Sequence, residues 1–180
     1  MSSTQKKKAQ FREGNVPPSG VCLSSFVSIG DGRNILLGKV AKPEVWVEKF
    51  FLSEQYAPSV ASSGKYVLPG SHLAWYESPL QAAERVIKEQ TLLPVPKGLK
   101  LVGVQSFVSG DPNDTQNPPH WDLCFVYDAK LPKSLTKKLK SPEWFSDFGL
   151  KPKSKLSSED FARGHGEVLE SVGLLKKKKS

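Results

Sequence analysis

The chain has 180 residues, of which 38% are hydrophobic, and a formal net charge of +8 at pH 7. This length and apolar content suit a single domain with short appendages. No apolar stretch approaches the roughly 20 residues of a membrane-spanning helix, and the first lysines are followed by polar sequence instead of a signal-peptide core. We therefore expect a cytoplasmic protein with no membrane partner.

The positive charge lies mainly at the two ends. Arg12 and the lysines at 6–8 and 176–179 carry eight charges, so the body between them is near neutral (8 − 8 = 0). We predict a disordered basic arm over residues 1–19 and a basic tail over 176–180. Such ends usually act as solvated tails, and the alternative is a weak, salt-sensitive contact with RNA.

A hairpin opens the predicted domain, which spans residues 20–175. The run from Val21 alternates as a strand does, DGRN at 31–34 is typical of a turn, and the run from Ile35 supplies the partner strand. The domain therefore begins with two antiparallel strands.

Residues 41–65 form an insertion between this hairpin and the next strand. A helix is predicted from Pro43 to Tyr56, with Trp46 and Phe50 on one face. Its aromatic side chains would pack onto the sheet, although a lid over a ligand or a homodimer contact is an alternative. The small, polar residues 57–63 then return the chain to the next strand.

Residues 66–93 (YVLPGSHLAWYESPLQAAERVIKEQTLL) predict a strand, a tight turn, a loop and an amphipathic helix. Ser78 has the character of an N-cap, and Pro79 suits the first helical position. Pro94 would end the helix.

Two further strands are predicted, one from Leu99 and one from His120, with a loop rich in Asp, Asn and Pro over residues 111–119 between them. Cys22 and Cys124 each lie in an apolar run with strand character. They are expected to be buried, reduced thiols, and a single disulfide between them is the alternative.

The C-terminal part predicts a short strand after the segment PEWF at 142–145, and then a last helix. Ser157 or Ser158 can cap that helix, which would run to about residue 175. The glycines on either side of His165 would weaken its middle by about 1 kcal/mol each. His165 itself is expected to be exposed or in a turn.

Residues 66–93 resemble the Nudix box, G-x5-E-x7-R-E-U-x-E-E-x-G-U, the signature of hydrolases that split nucleoside diphosphates linked to another moiety. The box fits without a gap. The positions that agree are Leu68-Pro69-Gly70, Glu77, Arg85, Ile87, Glu89 and Leu93. Together with the element order, the resemblance implies an α/β Nudix-type sandwich, a mixed β-sheet between the box helix and a C-terminal helix.

The resemblance also implies a divalent metal, Mg²⁺ or Mn²⁺, held by glutamates on one side of the box helix. Four positions depart from the pattern: Ser71, Val86, Gln90 and Leu92. Of the three carboxylates expected on the helix, only Glu89 remains. If the protein is active, Glu89, Glu77 and Gln90 are the metal-ligand candidates, and Glu89 and Arg85 the catalytic candidates.

Other residues are candidates for ligand contacts. Asp111 and Asp114 could supply an acidic group or recognise a base, and Trp121 could stack on a purine. His72 lies in the loop of the box. No second His or Cys lies at metal-ligand spacing from it in the sequence, so a zinc site is not expected.

Three functions follow from this degenerate box. The first is a domain with weak or no diphosphate hydrolysis that binds a nucleotide-like ligand or a macromolecular partner. The second is an active Mg²⁺-dependent hydrolase with a non-standard base. The third is an accessory protein of RNA or a ribonucleoprotein. The fall from three carboxylates to one favours the first, because it weakens the capture of divalent ions.

Overall fold

The fold is built around one mixed β-sheet. A computed structural model describes residues 20–50, 52, 54, 56–109 and 119–177. The strands are β1 (Val21–Gly30), β2 (Asn34–Val40), β3 (Tyr66–Val67), β4 (Gly70–His72), β5 (Lys100–Ser109), β6 (His120–Lys130) and β7 (Phe145–Pro152). Their order is β3-β2-β1-β6-β5, with β4 paired to β1 and β7 to β2. β1 and β6 run parallel, and the other pairs are antiparallel.

Helices and helical turns accompany the strands. The α-helices of the described residues are α1 (Pro43–Phe50), α2 (Ala57–Ser62), α3 (Pro79–Val86), α4 (Lys133–Thr136) and α5 (His165–Ser171). A π-helical turn, Ile87–Thr91, continues α3, and 3₁₀ turns form at Lys153–Lys155 and Ser158–Asp160. Within these ranges no helix is both long enough and apolar enough to cross a membrane.

The strand β1 separates two apolar layers, because neighbouring side chains of a strand point to opposite faces. Val27 and Ile29 pack with Val86 of α3 in one core cluster. On the other face, Phe26 packs with Leu169 of α5. The predicted sandwich, with the box helix and a C-terminal helix on opposite faces of the sheet, is confirmed.

The box helix α3 begins where the sequence predicts. Ser78 Oγ accepts a hydrogen bond from the Gln81 backbone N–H at 3.3 Å, and Gln81 Oε1 accepts one from the Ser78 N–H at 2.9 Å. This is a capping box, and Pro79 occupies the first turn. The cap fixes the point at which the loop of the box enters the helix.

The end of the box helix differs from a regular α-helix. The chain widens into the π-helical turn, and Leu92 then adopts a left-handed conformation with φ of 57°. The family pattern has a glycine here, which suits that conformation, whereas a leucine pays about 1 kcal/mol for it. The departure at Leu92 therefore preserves the backbone of the box.

The insertion at 41–65 contains two helices instead of one. The predicted Trp46–Phe50 pair is confirmed, with ring centroids 5.1 Å apart, and both side chains are buried beside Trp144. Residues 51, 53 and 55 lie outside the described part. The second helix, α2, forms because Ala57 and Val60, three residues apart, bury one face of a short helix.

The C-terminal helix is shorter than predicted. Ser157 does form a capping box, but it caps only the 3₁₀ turn Ser158–Asp160. The helix α5 starts at His165, after Gly164 at φ of 69°. A Cβ on Gly166 would lie 2.5 Å from the Ser158 carbonyl oxygen, so this glycine allows the turn and the helix to pack closely.

His165 is buried, and the expectation that it is exposed is wrong. Its Nδ1 accepts a hydrogen bond of 3.0 Å from the Leu68 backbone N–H, and its ring contacts Phe26 edge-on at 4.9 Å. Burial, with a smaller contribution from the charge of Arg163, lowers the pKa of His165 to about 3. The neutral imidazole therefore joins α5 to the strand that enters the box.

This burial predicts acid sensitivity. Unfolded His165 binds a proton below about pH 6.5, whereas the folded residue does not until about pH 3, so stability falls as pH falls through this window. Between pH 7 and 5 the wild type should lose about 1–2 kcal/mol more of its free energy of unfolding than His165→Asn, whose Oδ1 keeps an acceptor for Leu68. Urea unfolding at the two pH values measures this difference, and equal losses in both proteins would contradict it.

Candidate functional site

Arg85 of α3 holds the loop between β4 and α3 in place. Its Nε and one terminal nitrogen donate to the two oxygens of Glu77 at 2.7 and 2.9 Å, and that nitrogen also donates to the His72 carbonyl at 2.9 Å. Glu77 Oε2 accepts a further hydrogen bond of 2.8 Å from the Ala74 backbone N–H. Both oxygens of Glu77 are thus engaged, in a bidentate ion pair that fixes the loop against the helix.

Glu89 is the carboxylate that remains on the box helix. Its Oε2 lies 3.8 Å from a terminal nitrogen of Arg85, and its side chain is 35% exposed. This contact is looser than the pair between Arg85 and Glu77. Glu89 is therefore the most available of the predicted metal ligands.

Gln90 is a buried structural residue. Its Oε1 accepts a hydrogen bond of 3.0 Å from the Gly70 N–H, and its Nε2 donates one of 2.8 Å to the Gly70 carbonyl. The indole of Trp144 donates to the Gln90 backbone carbonyl at 2.9 Å. The side-chain amide suits this pairing because it offers one donor and one acceptor, whereas a carboxylate offers acceptors alone.

These contacts do not fit a magnesium site on the box helix. Val86 is 1% exposed within the core, the carbonyl oxygen of Gln90 is bonded to Gly70, and Glu77 is held by Arg85. Among residues 77, 86, 89 and 90, only Glu89 presents an accessible carboxylate. One carboxylate is a poor site for a small, strongly hydrated divalent ion.

A cleft lies on the other face of the sheet, beside α5. It has a volume of about 310 Å³. Its lining is aromatic, basic and polar, and comprises Ser24, Phe26, Tyr56, His72, Phe107, His120, Asp122, Cys124, Arg163 and His165. Sequence reasoning predicted only His72 of this group as a site residue, because the cleft is formed by strands that are distant in sequence.

Three potential ligand atoms lie close together at one side of the cleft, and a fourth, from His72, lies beside Cys22. Cys22 Sγ lies 3.2 Å from His72 Nε2, and His120 Nε2 lies 3.8 Å from Asp122 Oδ2. One donor atom from each of Cys22, His120 and Asp122 falls within 4.8 Å of the others. Strand pairing thus brings Cys22 beside His72, although the two residues do not lie at metal-ligand spacing in the sequence.

The two cysteines are buried and unbridged, as predicted. Burial, with the negative charge of Asp122 adding to it, raises the pKa of the Cys124 thiol to about 12. Cys124 is therefore neutral at pH 7.

Of the remaining candidate site residues, Trp121 is not brought together with His72. Trp121 is 51% exposed and points to the face of β6 opposite His120 and Asp122, so it does not line the cleft. Asp111 and Asp114 lie outside the described residues, and their roles stay predictions.

Solved structures with this architecture are MutT and Nudix proteins. The Bacillus halodurans MutT protein is 19% identical, with 84% of this chain and 82% of that chain covered and a TM-score of 0.54. The Burkholderia pseudomallei MutT Nudix hydrolase is 17% identical, with 84% and 98% covered and a TM-score of 0.56. For a mutT/nudix family protein from Listeria innocua the values are 21%, 86%, 91% and 0.51.

No family model and no curated protein sequence matches the chain. The structural likenesses define its fold, which is that of the Nudix hydrolases. The fold that the box and the element order predict is thus confirmed, although the sequence identities are low.

The Gln90 pairing makes a sharp prediction. Gln90→Glu should lower the free energy of unfolding by about 3 kcal/mol at pH 7, because a buried carboxylate would face the Gly70 carbonyl oxygen without a proton to donate. The penalty should shrink at about pH 4, where the protonated acid can donate again.

Glu89→Gln is the matched control for this variant. It removes one charge at the neighbouring, partly exposed position and should change the stability by less than about 1 kcal/mol. Denaturant unfolding of both variants measures the effect, and a Gln90→Glu protein as stable as wild type would show that the Gln90 amide is not required.

Proposed function

We propose that this chain is a Nudix-fold domain that binds a nucleotide-like ligand and keeps its box for architecture, with weak or no metal-dependent hydrolysis. The observation that carries the proposal is that polar side chains of the box are hydrogen-bonded to other groups of the protein. Arg85 engages both oxygens of Glu77, and Gln90 engages both backbone polar groups of Gly70. Glu77 and Gln90, two of the three metal-ligand candidates, are thus bonded to other groups of the protein.

The cleft beside α5 supports the choice of ligand class. Phe107, which is 39% exposed, offers a ring face on which a base can stack. Arg163, whose guanidinium lies 5.5 Å from the Tyr56 ring centroid, offers a positive charge for a phosphate group. An aromatic base linked to an anion combines the two features that this lining can recognise.

Hydrolysis tests the first part of the proposal. Purified protein with Mg²⁺ or Mn²⁺ should release no more phosphate or nucleotide from a panel of nucleoside-diphosphate-linked compounds than Glu89→Gln does. The reason is that one accessible carboxylate cannot hold the divalent ions that this chemistry uses. Turnover that Glu89→Gln abolishes would establish the hydrolase instead, with its base to be sought outside the box.

Ligand binding tests the second part. Calorimetric titration with ADP and with the same panel should detect binding that Phe107→Ala weakens about ten-fold, because base stacking on an aromatic ring contributes about 1–3 kcal/mol. Val108→Ala is the matched control, since Val108 is exposed on the opposite face of the same strand. Equal effects of the two variants, or no binding by any compound, would refute the assignment of the cleft.

A role with RNA rests on the lysine-rich ends and stays a separate prediction. Lys176 and Lys177 are the part of the C-terminal run that the structure describes, and the N-terminal arm lies outside the described residues. Binding that falls steeply with salt would support it.

A further inference from the structure

We infer that Cys22, His72, His120 and Asp122 form a binding site for a transition-metal ion with the properties of Zn²⁺, separate from the box helix. These residues come from three strands, β1, β4 and β6, that meet at one end of the sheet. Their ligand types are one thiolate, two imidazoles and one carboxylate. This set suits zinc and not magnesium, which prefers oxygen ligands and water.

The strand register explains why these side chains meet. Cys22 pairs with Asp122 in the parallel β1–β6 ladder, and His72 pairs with Ser24 in the antiparallel β1–β4 ladder. His120 and Asp122 are two residues apart, so they share one face of β6. Sheet formation alone therefore brings all four ligands to the same face.

The distances are close to those of a tetrahedral site. Zinc bonds of about 2.3 Å to sulfur and 2.0 Å to nitrogen place the donor atoms about 3.3–3.6 Å apart. The Cys22–His72 separation is 3.2 Å, the His120–Asp122 separation is 3.8 Å, and the Cys22, His120 and Asp122 atoms lie within 4.8 Å of one another. Among Cys22, His120 and Asp122 the widest gap needs to close by at most about 1.5 Å, which side-chain rotation can supply, and His72 joins the group through its contact with Cys22.

Charge and burial favour an ion at this position. A thiolate and a carboxylate together carry two negative charges, which a divalent cation neutralises while the imidazoles stay neutral. Cys22 is 3% exposed and His120 is 7% exposed, so the ion would sit where water competes weakly for it. Such low exposure also argues against Cys22 as a nucleophile for an external substrate.

Two neighbouring residues, Cys124 and His165, are not part of the proposed site. Cys124 also lines the cleft, but it pairs with Ser24, two residues further along the β1–β6 ladder than the Cys22–Asp122 pair. The Nδ1 of His165 is already bonded to the Leu68 N–H. These two residues therefore provide internal controls of the same chemical types as the proposed ligands.

The experiment is a titration of the full, untagged, metal-free chain with Co²⁺ and then with Zn²⁺, under a reductant that does not bind metals. One Co²⁺ per chain should bind in the micromolar range, with a thiolate-to-cobalt charge-transfer band and the intense visible absorption of tetrahedral cobalt. Zn²⁺ should displace it and raise the thermal midpoint of unfolding, because the ion binds only the folded chain.

The variants decide which residues hold the ion. Cys22→Ser should abolish the charge-transfer band, and Asp122→Asn, which preserves shape, should weaken Co²⁺ affinity by at least about ten-fold. Cys124→Ser and His165→Asn should leave stoichiometry and spectrum unchanged, and circular dichroism of each metal-free variant verifies its fold.

Three results would overturn the inference: no saturable binding of one ion per chain, binding that survives both Cys22→Ser and Asp122→Asn, or a band that disappears with Cys124→Ser instead of Cys22→Ser. The site does not depend on nucleotide binding by the cleft, because the metal alone is the probe. Failure of either proposal can thus be told from failure of the other.

Discussion

The ion pair between Arg85 and Glu77 is the contact on which the rest of the box depends. Both carboxylate oxygens are bound to one guanidinium, and the same guanidinium reaches the carbonyl of His72. A planar fork of donors suits this task, and a lysine could not replace it. The loop between β4 and α3 is thereby held by contacts within the protein at both of its ends.

Val86 and Gln90, which depart from the box pattern, suit these contacts within the box. A carboxylate at position 86 would lie in the apolar core, and a carboxylate at 90 would oppose the Gly70 carbonyl. Valine and glutamine instead contribute apolar burial and a complete pair of hydrogen bonds. A buried amide stabilises a fold only when its polar groups are hydrogen-bonded. The Gln90–Gly70 contact meets this condition, so it favours one arrangement of the helix against β4 as well as stabilising it. Val86 and Gln90 thus both contribute to the packing of the box.

Local sequence signals predicted the elements whose causes are local. The capping residues of α3, and the i,i+4 pair of Trp46 and Phe50, needed no knowledge of distant contacts. The C-terminal helix was misjudged because its start depends on a left-handed Gly164 and on a close packing contact that no local pattern encodes. The Cys22 cluster was missed for the same reason. Cys22 is 50 residues from His72 in the sequence and still farther from His120 and Asp122, and only the pairing of β1 with β4 and with β6 brings these residues together.

His72 contacts both the box and the cleft face of the sheet. Its carbonyl accepts from Arg85 in the box, while its ring contacts the Cys22 sulfur on the cleft face of the sheet. The ion pair of Arg85 with Glu77 therefore helps to set the backbone position of a residue that we assign to the proposed Cys22, His72, His120 and Asp122 site. A preorganised ligand loses less side-chain entropy on binding, so the Arg85 clamp would increase the affinity of the Cys22, His72, His120 and Asp122 site without touching the ion.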